Sequence, residues 1–112
     1  DLETGSSKVS LRGTITENTL IITRIDDFHR IYLVPQGNIL IVQYKDRPGV
    51  LAKITASIAE ADINIEDIHA PRSSDGSSAM AMLITDKATP QSIVEKIQNN
   101  VSPYKTVSIS MP

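Results

Sequence analysis

Apolar residues fall at two different spacings along this chain, and the pattern changes near residue 37. Ahead of that point, Val9 and Leu11 alternate with Lys8, Ser10 and Arg12, which predicts a strand over Lys8–Thr14. Thr19–Ile25 is rich in β-branched residues and predicts a second. Asp26-Asp27 reads as a turn, and His29–Val34 as a third strand closed by Pro35-Gln36-Gly37. Residues 1–7 are polar and turn-rich, the composition of a frayed end. Three short strands with tight turns make a β-meander. A unit of that size buries too little surface to stand alone, so residues 1–36 read as the incomplete tail of an upstream β-containing domain.

From Gly37 the order becomes strand, helix, strand, strand, helix, strand. Ile39–Tyr44 is almost wholly apolar, as a strand covered on both faces is. Pro48–Ala61 puts Leu51, Ile54, Ile58 and Ala61 on one stripe and Lys53, Ser57 and Glu60 outside it, an amphipathic helix. Ile63, Ile65 and Ile68 begin another strand, Ser73-Ser74-Asp75-Gly76 a hairpin turn, and Ala79–Thr85 its return. Thr89-Pro90 is placed to cap a second helix with Ile93, Val94 and Ile97 inward. Val107, Ile109 and Met111 alternate in a last strand. The order βαββαβ predicts an α+β, ferredoxin-like fold over residues 37–112, two helices on one face of an antiparallel sheet. Its other face needs a partner or solvent-tolerant residues.

The most informative segment is Asp46-Arg47-Pro48-Gly49-Val50-Leu51, between the central strand and the first helix. Pro48 is expected to open the helix, where its missing N–H costs nothing. Gly49 lacks a Cβ, so another group can approach the first turn closely. The free N–H groups and positive dipole end of a helix make a seat for a carboxylate. Polar residues Gln43, Tyr44, Lys45 and Asp46 stand just ahead of it. Asp46 can serve as a helix cap, as a ligand group, or as both. The pattern suits capture of a small zwitterion better than chemistry on it. Asn64, which comes after the helix, is either a local backbone residue or a second polar contact. Arg24 and Arg30 are candidates for holding an anion.

Composition narrows the classes. The 112 residues are 40% hydrophobic and 21% charged, an ordinary soluble domain with a net charge of −2. Eleven scattered Lys and Arg and the four aromatics Phe28, Tyr32, Tyr44 and Tyr104 give neither a polyanion footprint nor a base-stacking platform, so no nucleic-acid partner is expected. With no cysteine, the chain has no disulfide, thiolate metal site or iron–sulfur ligand of its own. No signal peptide or long apolar span is present, so a cytoplasmic location and no membrane partner are expected. Asn100-Val101-Ser102 matches a glycosylation sequon, which means little without a secretory signal.

No catalytic set emerges. The glycines at 5, 13, 37, 49 and 76 form neither a dinucleotide fingerprint nor a phosphate loop. His29 and His69 lack partners at metal-ligand spacing, and Glu66-Asp67 reads as a solvated strand face. No nucleophile has an evident base. The chain by itself is expected to be no enzyme, to have no catalytic or metal residue and to need no cofactor.

Leu40–Thr85 resembles the ACT domain, a small-molecule-sensing module of amino-acid-metabolising enzymes. The resemblance rests on the Asp46–Leu51 turn, on Ile58-Ala59-Glu60-Ala61-Asp62-Ile63-Asn64-Ile65 and on the Met80–Ile84 strand. Upstream, Lys8–Thr14, Thr23-Arg24-Ile25-Asp26-Asp27-Phe28 and Leu33-Val34-Pro35-Gln36-Gly37-Asn38 resemble the close of the allosteric substrate-binding domain of long-form D-3-phosphoglycerate dehydrogenases, which precedes a terminal ACT domain.

The resemblance implies a regulatory tail, residues 1–36 ending one domain and 37–112 forming the ACT domain. Its parent would be an NAD-dependent oxidoreductase of L-serine biosynthesis. It implies L-serine, or another small amino acid, as ligand in feedback inhibition. The family's ligand positions fall on Tyr44, Asp46 and Asn64, with Gly49, Val50 and Leu51 at the helix start, while Arg47 shapes the loop. It also implies a homodimer or larger assembly through sheet edges, next to Ile63–His69. Iron–sulfur L-serine dehydratases carry similar regulatory segments, and an oligomerisation scaffold without ligand is the other alternative.

Overall fold

The computed structural model describes residues 2–4 and 7–111. Ten elements run in order: β1 (Leu2–Thr4), β2 (Ser7–Val9), β3 (Leu11–Thr16), β4 (Thr19–Ile25), β5 (Gly37–Lys45), α1 (Val50–Glu60), β6 (Ile65–His69), β7 (Ser78–Thr85), α2 (Gln91–Val101) and β8 (Lys105–Met111). The last six form the βαββαβ unit, with strand order β6-β7-β5-β8 and every pairing antiparallel. This is the α+β, ferredoxin-like arrangement expected. β5 is central, and Ile39 to Tyr44 are all buried because both faces of the sheet are covered.

On one face, Leu40, Val42 and Tyr44 pack with Ile54, Ile58, Val94 and Ile97 from the two helices. On the other, Ile39, Ile41, Met80, Met82 and Val107 meet Val9, Ile22, Ile25, Phe28, Ile31 and Leu33. The segment ahead of residue 37 thus supplies the cover that this face required, and shares a core with it. At about 25 cal/mol per Å² of apolar surface removed from water, such plugging residues contribute roughly 1.5–3 kcal/mol each.

Several local expectations are corrected. Asp1, Gly5 and Ser6 of the supposed frayed end lie outside the described residues, but Leu2–Thr4 is a strand paired with Ser7–Val9. The single strand Lys8–Thr14 divides at Ser10, whose N–H donates to Asp26 Oδ1 (2.9 Å) and whose carbonyl accepts from the Asp26 N–H (2.8 Å). His29–Val34 is not a strand. Arg30 takes a left-handed backbone (φ 61°), which turns the chain out of the extended path, so only an isolated bridge Ile22↔Leu33 survives.

The helices start later than their sequences suggest. Gly49, not Pro48, is the N-cap of α1, and its φ of 87° and ψ of −11° are left-handed, so Pro48 lies in the turn before the helix. Nothing lies within 4 Å of where a Gly49 Cβ would stand. The glycine is required by its backbone angle rather than by a close neighbour. Ser57, expected outside, is buried, and its hydroxyl is satisfied by donating to the Lys53 carbonyl at 3.0 Å. Pro90 is the N-cap of α2, which has no side-chain cap, so Thr89 does not play that part.

Candidate functional site

The end of β5, the start of α1 and the stretch after β6 surround a cleft of about 510 Å³, lined by Tyr44, Asp46, Arg47, Pro48, Gly49, Leu51, Ala52, Ala70, Arg72 and Ala79. Clefts that take small molecules commonly measure ~300–1,000 Å³. Each wall has a local cause. Tyr44 ends the helix-facing row of β5, so its ring is buried at the cleft's base. The Asp46 N–H donates to the Ser77 carbonyl at 3.1 Å, which fixes the chain as it leaves the sheet. Gly49 then reverses it, and the first helical bond runs from Lys53 N–H to the Gly49 carbonyl at 3.1 Å.

α1 has no side-chain cap. Asp46 therefore does not act as the cap that one reading of the sequence allowed, and no side chain satisfies the first-turn N–H groups. Its carboxylate turns instead to Arg72, with Nε 2.8 Å from Oδ2. Asp46 is 27% exposed and Arg72 67%, so the pair lies at the mouth. Burial, and then the Asp46 charge, push the Tyr44 hydroxyl above its ordinary pKa, against the opposing pull of Arg72. Tyr44 is thus a neutral hydroxyl at neutral pH.

Arg47 lines the cleft and also braces the turn. Its guanidinium donates to the Val101 carbonyl at the end of α2 and to the Lys45 carbonyl at 3.3 Å. A cation at a helix C-terminus is favourable, and the contact ties the Asp46–Gly49 turn to α2.

The sequence-derived candidates divide into those the cleft gathers and those it does not. Tyr44, Asp46, Gly49 and Leu51 line it. Val50 does not, because its side chain is buried in the helix-side core; only its main chain is near. Asn64 lies beyond the far end of α1, roughly 16 Å away at 1.5 Å per residue. Its N–H donates to Asp86 Oδ1 at 2.9 Å and its carbonyl accepts from the Asp86 N–H at 3.0 Å, while the residue remains exposed. Arg24 is held by the Asp26 carbonyl (Nε to O 2.6 Å), Arg30 is exposed, and neither lines the cleft.

Arg72 is the charged cleft residue that sequence reading missed. Pro71 beside it was the only signal, and a proline marks the end of a strand without indicating any role for its neighbour. Among the described residues, no group of three or more His, Cys, Asp or Glu is placed to hold a metal, and no helix is long and apolar enough to cross a membrane.

Comparison with known proteins gives this geometry a context. The ACT domain model matches residues 38–101, from β5 to the end of α2. The chain belongs to the ACT-domain family. It is also similar to the carboxyl-terminal part of D-3-phosphoglycerate dehydrogenases. It is 27% identical to that of Methanocaldococcus jannaschii over 86% of this chain and 18% of the relative. The figures are 30% over 84% and 18% for Archaeoglobus fulgidus, and 33% over 88% and 19% for Mycobacterium bovis. The chain spans less than a fifth of these relatives' length, and the matched stretch extends well ahead of the ACT domain itself.

Proposed function

We propose that this ACT domain senses a small amino acid, L-serine first, and works as the regulatory tail of a D-3-phosphoglycerate dehydrogenase. The observation that carries the reading is a carboxylate, Asp46, beside an uncapped helix start in one open cleft. An α-amino acid supplies the complement to both: its ammonium pairs with Asp46 and its carboxylate takes first-turn N–H groups. Tyr44 adds a neutral hydroxyl. The relatives' names favour a dehydrogenase parent over an iron–sulfur dehydratase. In that setting NAD binds the parent's catalytic part, the protein is cytoplasmic, and residues 1–36 end the preceding domain. This chain alone would then have no dehydrogenase activity.

Asn64 enters through a second copy. β6 is an edge strand, whose unpaired main chain is a template for another. If two β6 strands pair antiparallel about a two-fold axis at Asp67, Asn64 of the second copy falls opposite Ala70, which lines the cleft. A ligand there bridges subunits and biases their orientation, and a coupling of about 1–3 kcal/mol is enough to change activity several-fold.

Isothermal titration of the chain with L-serine tests the sensor. Binding by the wild type, lost in Asn64→Ala with the fold intact, is the expected result. No heat with any small amino acid would leave the scaffold reading. Sedimentation giving a monomer at micromolar concentration would remove the seam.

A further inference from the structure

We propose that Arg72 is the specificity-determining residue of this cleft, selecting zwitterionic α-amino acids against plain amines by moving from Asp46 to the ligand carboxylate. The inference rests on the sensing reading above and deepens it.

Three features carry it. Arg72 Nε lies 2.8 Å from Asp46 Oδ2, so the guanidinium occupies the place that a ligand ammonium would need. Its side chain is 67% exposed, and Ala70 and Ala79 beside it are small, so the long stem has room to swing. In an α-amino acid the ammonium and carboxylate share one carbon. An ammonium seated on Asp46 therefore delivers its carboxylate within reach of the displaced guanidinium, whose planar fork matches a carboxylate in two-point contact.

The exchange discriminates by charge. A zwitterion replaces one ion pair, Asp46 with Arg72, by two: Asp46 with the ammonium, and Arg72 with the carboxylate. A simple amine leaves Arg72 without a partner beside a second cation, in a cleft partly screened from water, where like charges repel more than in bulk solvent. The helix start alone cannot enforce this, because main-chain N–H groups left without an anion can still take water.

Titration of the 112-residue chain with L-serine and with ethanolamine, which keeps the ammonium and hydroxyl but lacks the carboxylate, tests the idea in wild type, Arg72→Gln and Arg72→Lys. The expected result is an about tenfold or larger loss of serine affinity in Arg72→Gln, the size of one charge-assisted contact. Ethanolamine affinity should hold or rise in that variant, so that the preference for serine shrinks, and Arg72→Lys should recover part of it. Where ethanolamine binds too weakly to measure, the serine loss and its partial return with Lys decide. Unchanged or tighter serine binding in Arg72→Gln overturns the proposal, because Arg72 would then only shield Asp46. A wild type that binds no serine is a different failure, since it removes the sensing reading and this inference together. Thermal melts by circular dichroism separate either outcome from misfolding.

Discussion

Two aspartates leave the ends of neighbouring stretches of sheet, each with one cation at about the same distance, and they differ in everything else. Asp26 comes after β4. Its Oδ2 accepts from Lys105 Nζ at 2.9 Å and Gln43 Nε2 at 2.7 Å, its Oδ1 from the Ser10 N–H, and its carbonyl from Arg24. Asp46 comes after β5, and Arg72 is the partner its carboxylate has among the described residues. One carboxylate is held by three donors and knits the first 36 residues to β5 and β8. The other keeps acceptor capacity facing a cleft. A carboxylate with unspent acceptor capacity at a cavity is the better ligand candidate, because one held by three donors must first give up what it holds. Gln43 and Tyr44 carry the same contrast on adjacent positions of β5, one facing the Asp26 network and the other the cleft.

The largest effect should separate the two in stability. Asp26→Ala strands a buried Gln43 amide, Lys105 and the Ser10 N–H, and should cost about 2–4 kcal/mol in urea denaturation. Asp46→Ala removes a single partly exposed pair and should cost less than about 1 kcal/mol. Equal losses would mean that the two carboxylates support the fold alike.

Affinity should reverse the order. Asp46→Asn keeps the shape but removes the charge, and should weaken L-serine by roughly 1.5–3 kcal/mol in isothermal titration. Asp26→Asn, away from the cleft, should leave serine affinity within about twofold if the domain stays folded. Serine binding unchanged in Asp46→Asn would displace the site.

How much of this could be read from the chain depends on the range of the interaction. The βαββαβ order was legible because each element has its own periodicity, and the Asp46–Gly49 turn because Pro and Gly punctuate locally. His29–Val34 has a strand's composition, and nothing in it announces the left-handed backbone of Arg30. The cover on the second sheet face is not legible in the sequence, because Phe28, Ile31 and Leu33 plug it from irregular chain, which has no period to find. Arg72 was missed because it meets Asp46 across the sheet end, 26 positions later in sequence. Asn64 stays apart from the cleft within one chain, and only a second copy would unite them.

Gly49 shapes the Asp46 cleft from the backbone side. With φ at 87° and open space around it, Gly49→Ala meets no clash and tests conformation alone. The cost should be about 1 kcal/mol in stability, from the left-handed angle. Serine affinity should fall with it, because the first-turn N–H groups are aimed by that angle. A stable variant with reduced affinity would locate the carboxylate seat at the helix start, whereas full affinity would leave the carboxylate to Arg72 alone.

The smallest effect lies in the acid limb of stability. Burial by itself would raise the Asp26 carboxyl, but the hydrogen bonds from Gln43, Ser10 and Lys105, with the Lys105 charge, outweigh it and hold the pKa below 3.8. A carboxyl depressed in the folded state binds its proton more readily when unfolded. Its contribution is therefore complete above that ordinary value and is lost as pH falls through the lower folded value. Protonation is milder than deletion, since a neutral carboxyl still accepts from Gln43 and Ser10, so this step should be smaller than that of Asp26→Ala. Asp75 blurs the same range, because Ser73 and Ser77 hold its exposed carboxyl at about 2. The decisive measurement is the difference in unfolding free energy between wild type and Asp26→Asn from pH 6 down to pH 2. That difference should be constant in the upper part and shrink below pH 4. A difference that stays flat to the lowest pH would mean that the Asp26 charge adds nothing to the clamp beyond its hydrogen bonds.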